Sequence, residues 1–194
     1  MRTSEPSTRD RIITAASKLF YSEGIRSVSV DAVAEKAGVT KRTLYYHFAS
    51  KDELLEAYLR ERDQPNLAAF RRWYDETEGD VAEKVRGIFR NLAARASHPK
   101  WKGCGFLRTS AELVNMPGHP AMKTGAAHKK RLEGWIGDML EANGVTDAST
   151  LARQVILLLD GSFAVVLLHR DPSYMETAGE AAYALISAAV ASRR

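Results

Sequence analysis

The fold is decided by residues 30–51, which read VDAVAEKAGVTKRTLYYHFASK. Apolar residues recur with helical spacing on both sides of Gly38, and a glycine gives the backbone the freedom that a tight turn requires. Ser29 is placed to cap a first short helix over about residues 30–37, and a second covers about residues 41–47. Two short helices that meet at a glycine turn form a helix-turn-helix.

The two short helices have an inward and an outward side. Ala34 is small where the helices cross, and four apolar residues are spaced to pack inward: Val33, Val39, Leu44 and Phe48. The second helix leaves donors, cations and aromatic hydroxyls facing outward: Thr40, Lys41, Arg42, Thr43, Tyr45, Tyr46 and His47. Such groups bind phosphates and base edges in the major groove of DNA. The alternative is a hairpin with a solvated polar face, which would not need adjacent tyrosines and a histidine.

Helical periodicity covers nearly the whole chain, and no run alternates with the period of a strand. A first helix is predicted over about residues 8–23, and a fourth opens with the capping box of Ser50 and Glu53 and should kink or end at Pro65. Five more helices follow. The sequence therefore predicts an all-α protein of about nine helices, with a three-helix domain over residues 1–50 and a second helical domain over residues 51–194.

Composition and charge are those of a globular protein with one basic end. Of 194 residues, 45% are hydrophobic and 27% are charged. Residues 1–51 hold nine Lys or Arg against five Asp or Glu, so this quarter carries the whole net charge of +4, as a polyanion-binding segment would.

The single Cys104 is typical of a reducing compartment. A polar start and an apolar stretch (155–168) shorter than the ~20 residues of a membrane span predict a cytoplasmic protein.

Residues 28–55 resemble the N-terminal domain of the TetR (tetracycline-repressor-like) family. The motifs that carry the resemblance are GVTKRTLYYHFASKDEL at residues 38–54 and LFYSEG at residues 19–24. The close resemblance covers about residues 9–59, and the rest of the chain matches only in helix count and general plan. It implies a ligand-responsive transcriptional regulator, expected to be a repressor, that binds double-stranded operator DNA as a homodimer and uses no cofactor.

The resemblance also implies roles for individual residues. Those that would face bases or the groove floor are Thr40, Lys41, Arg42 and Tyr45. Those that would contact phosphates are Thr43, Tyr46 and His47, together with Ser29 and Lys51 at two helix starts. Arg42 could pair with guanine through two parallel hydrogen bonds.

The later helices are expected to serve dimerisation and effector binding. In the family the last two helices form a four-helix bundle with their symmetry mates, and here the eighth is so apolar that it should be buried almost all round. A small-molecule site among helices four to eight would be lined by Phe89, Trp101, Cys104, Leu107, Met122, Trp135, Asp160 and Phe163. Asp160 interrupts an apolar helix and is the candidate polar anchor, whereas the aromatic residues could equally be core.

Three alternatives remain open. Cys104 could be buried and inert, could line the pocket, or could be a sensor thiol that makes the regulator respond to electrophiles or oxidants. A cysteine-dependent enzyme would need Cys104 beside a histidine, and no spacing in the sequence supports such a pair or a metal site, so neither catalytic nor metal-binding residues are assigned. A helical module that binds other proteins is the third alternative.

Overall fold

The computed structural model describes residues 5–191, and within that range the chain is helical without strands. Its nine helices are α1 (Thr8–Glu23), α2 (Val30–Ala37), α3 (Lys41–His47), α4 (Lys51–Glu76), α5 (Val81–Ala96), α6 (Gly105–Glu112), α7 (Pro120–Ala142), α8 (Ala148–His169) and α9 (Ser173–Ala191). The predicted all-α fold is confirmed.

The first three helices begin and end at local signals. Ser7 caps α1, and Ser29 caps α2 by accepting a hydrogen bond from the backbone of the first turn. α1 ends at Gly24 and α2 at Gly38, both with positive φ, at 88° and 66°. Glycine takes these conformations without a steric penalty, which is why the sequence marks both turns clearly.

The sequence predicted that Pro65 would kink or end the fourth helix. The helix does not end there, so that part of the prediction was wrong. α4 continues through Pro65 to Glu76. Proline removes one backbone hydrogen bond, to the carbonyl four residues earlier. Both Pro65 and Glu61 are exposed, so water can bind the carbonyl that is left unpaired.

The chain divides into two compact units. The first contains the residues up to 63 together with residues 105–126, and the second contains residues 64–104 and the residues from 127 onward. In the first, α1 packs against α2 and α3 around a core that includes Ile12, Phe20, Leu44 and Phe48. The functional boundary expected after residue 50 stays a prediction.

The second unit is built on close packing of α9 against α5 and α8. Gly179 on α9 allows the contact with α5: a Cβ there would lie 2.7 Å from the Cβ atom of Phe89. Ala178, Ala182 and Ile186 are buried beside it. The small residues of α9 thus allow close contact between helices within the chain itself.

α8 is buried on one side only. Leu157 and Leu168 are 67% and 78% exposed, so the almost complete burial expected for this helix is absent within the chain. With 22 residues and a mean hydropathy of 1.9 over its most apolar window, α8 is also long enough to cross a membrane, contrary to the sequence prediction. However, 44% of that window is buried in the chain, and core helices of soluble proteins pass the same test.

Candidate nucleic-acid interface

The outward face of α3 is exposed as the sequence predicted. Lys41, Arg42, Tyr45 and Tyr46 are exposed, and the side chain of Tyr46 reaches 85%. Leu44 is fully buried on the opposite side. A short helix anchored by one buried leucine therefore presents cations and phenol hydroxyls together, which is the chemistry of phosphate and base-edge contacts.

The two threonines of α3 already serve the helix itself. Thr40 is the N-cap, and its hydroxyl oxygen accepts a hydrogen bond from the backbone N–H of Thr43 at 3.1 Å. The two hydroxyls are also 2.8 Å apart. Capping and DNA contact are compatible, because a hydroxyl oxygen has a second lone pair and a rotating proton. The roles predicted for both residues stay predictions.

Lys41 is held by an acid on the neighbouring helix. Its Nζ atom donates to Oδ2 of Asp31 at 3.0 Å. The hydrogen bond and the charge of Asp31 raise the pKa of Lys41, so the lysine is a cation at neutral pH. Both side chains are well exposed, and ion pairs in water contribute little to stability. The pair can therefore open to release Lys41 to a phosphate or a base at small cost.

Arg11 on α1 fixes the turn between α2 and α3. Its guanidinium donates to the carbonyl of Ala37 at 3.1 Å and to that of Gly38 at 3.1 Å. These carbonyls lie at the end of α2, where helices leave such groups unpaired. Arg11 thereby ties α1 to the turn that precedes α3. The sequence reasoning missed it, because its partners are 26 and 27 residues away and no local signal marks them.

Ser29 and Lys51, the two residues predicted to contact phosphates from helix starts, lie in different surroundings. Ser29 is exposed and accepts from Ala32 N at 3.1 Å, as a cap. Lys51 is half-buried, and its Nζ atom donates to the carbonyl of Ile25. Burial lowers the pKa of Lys51, although Glu112 and Asp52 act against the shift. Lys51 thus has a structural partner as well, and its phosphate contact stays a prediction.

Glu112, at the end of α6, binds the backbone of the turn between α1 and α2. Its carboxylate accepts from the backbone N–H of Ile25 at 3.2 Å and of Arg26 at 2.9 Å. The Arg26 guanidinium donates in return to the Glu112 carbonyl at 2.7 Å. Gly24 leaves room for the carboxylate, since a Cβ there would lie 3.1 Å from it. The sequence carries no signal for this contact, which spans more than 80 residues.

Residues 12–58 match the family model of bacterial regulatory proteins of the tetR family. Over nearly the whole chain, the structure is similar to that of SCO4454, a TetR-family transcriptional regulator from Streptomyces coelicolor. The identity is 30%, 95% of each chain is covered, and the TM-score is 0.78. The chain belongs to the TetR family.

Two relatives named as HTH-type regulators match different shares of the chain. The HTH-type transcriptional regulator SrpR of Pseudomonas putida is 45% identical over 58 residues, which span 30% of this chain and only 27% of SrpR. The HTH-type transcriptional repressor KstR2 of Mycolicibacterium smegmatis is 26% identical over 143 residues, 74% of this chain and 67% of KstR2. The chain thus spans about a quarter of the length of SrpR and about two thirds of that of KstR2.

The eight residues predicted to bind an effector in this TetR-family protein are divided between the two compact units. Leu107 and Met122 belong to the first compact unit and the other six to the second. Phe89 is 1% exposed and packs on α9, as a core residue does. Trp135 packs edge-on against Tyr74, with ring centroids 5.8 Å apart.

Asp160, Phe163 and Trp101 do lie together. The Asp160 carboxylate accepts from Nζ of Lys129, which also lies 5.8 Å from the centroid of Phe163. The ring of Trp101 stacks on Phe163 at 6.2 Å. Asp160, the predicted anchor, therefore has a cation of its own in this TetR-family protein. Sequence reasoning missed Lys129, which lies 31 residues away.

Cys104 lies directly before α6, is partly exposed and forms no disulfide.

A cleft of about 450 Å³ lies in the second unit between the start of α5 and the ends of α7 and α9, lined by residues such as Asp80, Asn143, Tyr183 and Ser187. It shares no residue with the predicted effector site. The ligand-binding assignments stay predictions.

Proposed function

We propose that this protein is a cytoplasmic homodimeric repressor that binds a palindromic operator through α3 and is released by a small-molecule effector. The observation that carries the proposal is the exposed outward face of α3, above all Arg42, Tyr45 and Tyr46. Tyr46 is 85% exposed, so its hydroxyl, the hydroxyl of Tyr45 and the guanidinium of Arg42 are free to reach phosphates and base edges. DNA matches the face in charge, because the excess cations of the chain lie in residues 1–51.

An exposed apolar surface on the last two helices supports the homodimer in this proposal. Leu157, Gly161, Ala164 and Leu168 form an exposed apolar row along α8, and Leu185 on α9 is also exposed. An apolar row of this kind is costly in water and fits a self-complementary two-fold interface. A two-fold dimer would carry two copies of α3 to half-sites ~34 Å apart or a multiple of that distance.

Release by an effector requires a physical link to the helix-turn-helix. The hydrogen bonds of Glu112 to the turn between α1 and α2 supply one, since a movement of α6 would move that turn. An effector that favours the moved state would lower the population able to bind DNA. Repression as the output is supported by the name of one relative, the repressor KstR2.

Selection from a pool of random duplexes tests the proposal. The purified full chain should enrich a palindrome, and its affinity should fall steeply with salt because phosphate contacts release counterions. Light scattering of the complex should give two chains per duplex. Equal binding to all duplexes, or none at moderate ionic strength, would contradict the proposal.

Arg42→Ala is expected to relax operator preference at one base pair in each half-site. A bidentate arginine–guanine pair contributes about 1–3 kcal/mol of discrimination, or roughly 5- to 150-fold in relative affinity. Repeating the selection with the variant measures the loss. Arg60→Ala is the control, because it removes the same charge from an exposed arginine on α4 that pairs with Glu56. An unchanged base preference for Arg42→Ala would contradict the assignment.

A further inference from the structure

We propose that Arg62, Arg108 and the ring of Tyr21 form a binding site for a carboxylate attached to a planar apolar group. We also infer that this site holds the charged end of the effector. The second statement rests on the proposed function, whereas the first concerns anion binding alone. All three residues belong to the first compact unit.

Two guanidinium groups lie close to one tyrosine ring. The central carbon of the Arg62 guanidinium is 5.0 Å from the centroid of Tyr21, and that of Arg108 is 5.8 Å from the same centroid. Arg62 also lies 5.7 Å from the ring of Tyr58. An aromatic face attracts a cation but leaves the N–H donors at the edge of the guanidinium unused. Those donors are arranged to bind an oxyanion in a bidentate manner.

Neither arginine has an acid to balance its charge in the part of the chain that the structure describes. Arg108 donates to the backbone carbonyl of Tyr21 at 2.7 Å, and Nε of Arg62 is buried with no hydrogen-bond partner. Nε of the half-buried Arg86 is also buried without a partner, but its other two nitrogens pair with Glu83 at 2.6 Å and Glu180 at 3.1 Å. A half-buried guanidinium with no acid beside it is uncommon and calls for an explanation.

The start of α6 adds positive potential at the same place. Gly105, its first residue, has so little space that a Cβ would lie 2.9 Å from the Tyr58 hydroxyl and 3.4 Å from Nε of Arg62. Arg108 is the fourth residue of α6, and the first turn contains no acid. The start of a helix favours anions, so two arginines there are at the unfavourable end. A bound anion would offset the repulsion between the positive start of α6 and the two arginines. Unfavourable local arrangements of this kind occur mainly at functional sites.

The surroundings specify an anion with an apolar body. Phe20 and Tyr58 are buried, at 3% and 2% exposure, so the aromatic surface that a ligand can meet is the half-buried ring of Tyr21, beside both cations. A planar carboxylate such as benzoate offers one end to the guanidinium donors and an apolar face or edge to that ring. Free inorganic anions lack the second contact and should bind more weakly.

Thermal unfolding of the full chain without DNA tests the site. Benzoate is compared with benzamide, its uncharged analogue of the same shape, at one ionic strength held with NaCl. Ligands that bind only the folded state raise Tm, and saturating benzoate should raise it by about 2–4 °C or more beyond benzamide. If benzoate raises Tm no more than benzamide does, the proposal is overturned.

Arg62→Met separates a ligand-binding arginine from a structural one. Methionine keeps an unbranched apolar side chain but removes the unbalanced charge, so Tm without ligand should stay level or rise, while the benzoate response falls at least tenfold in apparent affinity. A drop in Tm of more than about 5 °C would mean that Arg62 is structural, and would overturn the proposal.

Arg62→Lys, which keeps the charge but not the planar fork, should weaken benzoate binding without unfolding the chain. Arg60→Met is the matched control and should leave the response unchanged.

The outcomes also separate this site from the proposed regulatory function. A protein that enriches a palindrome but shows no benzoate response would keep the proposed function and lose the site. A protein that binds benzoate through Arg62 but prefers no duplex would keep the site and lose its role in regulation. If both hold, benzoate should weaken operator binding in the wild-type protein and not in Arg62→Met.

Discussion

Leu157→Asp is expected to give a folded monomer whose operator affinity is reduced more than 100-fold. Leu157 is 67% exposed within the chain, so aspartate costs the isolated chain little. In the proposed two-fold interface the same change buries two unpaired carboxylates, one from each copy. Leaving a charge buried without a partner costs about 3–5 kcal/mol, and 2.7 kcal/mol already corresponds to 100-fold. Half-sites would then be bound one at a time.

Three measurements check this expectation. Light scattering gives the mass of the free protein, a mobility-shift titration gives the operator affinity, and circular dichroism reports whether the helices are intact. Val114→Asp is the control, because Val114 is an apolar residue of similar exposure, at 65%, that lies outside α8 and α9. A Leu157→Asp protein that remains dimeric with unchanged affinity would show that α8 does not form the interface.

The sequence predicted the helix-turn-helix well because its signals are local. Ser29 and Gly38 are, respectively, the cap and the left-handed turn of α2, and Gly24 ends α1. Each is read from the residue type and its distance from the apolar pattern, without knowledge of distant contacts. The buried residue Leu44 and the exposed residue Tyr46 follow from the same helical period.

Local rules failed where solvent or distant residues decide the outcome. Pro65 does not end α4, because the position is exposed and water can replace the missing bond. Lys51 donates to the Ile25 carbonyl, and Glu112 binds the same turn from 86 and 87 residues away. The sequence pattern does not predict that Lys51 and Glu112 lie at the turn between α1 and α2, because only the tertiary fold brings these residues to it.

The effector site could be predicted from local sequence patterns even less well. Aromatic residues predicted to line a pocket, such as Phe89, have the same sequence character whether they line a cavity or fill a core. The arginines of the proposed anion site were not singled out, because an arginine in a helix is usually solvated. What distinguishes Arg62 from the similarly buried Arg86 is the lack of an acid partner beside a helix start, and that is a property of the packed structure.

Gly179→Ala is expected to destabilise the protein by about 1–3 kcal/mol, although alanine is the better helix former. The added Cβ would lie 2.7 Å from Cβ and 3.3 Å from Cγ of Phe89, distances that only a separation of α5 and α9 can relieve. Phe89 is 1% exposed and has no free space to enter. Since α9 also packs on α8, a shift of α9 would disturb both helices that carry the exposed apolar surface.

Gly134→Ala provides the matched comparison, since Gly134 lies inside α7 with no atom within 4 Å of an added Cβ. There the substitution should stabilise by up to about 1 kcal/mol, because only the helix propensity changes. The two variants should therefore differ by about 1–4 kcal/mol, which corresponds to roughly 2–16 °C in Tm for a chain of this size. Equal Tm values would mean that α5 and α9 are not in close contact through Gly179. The proposed dimer surface would then lack the rigid support that this contact gives to α9.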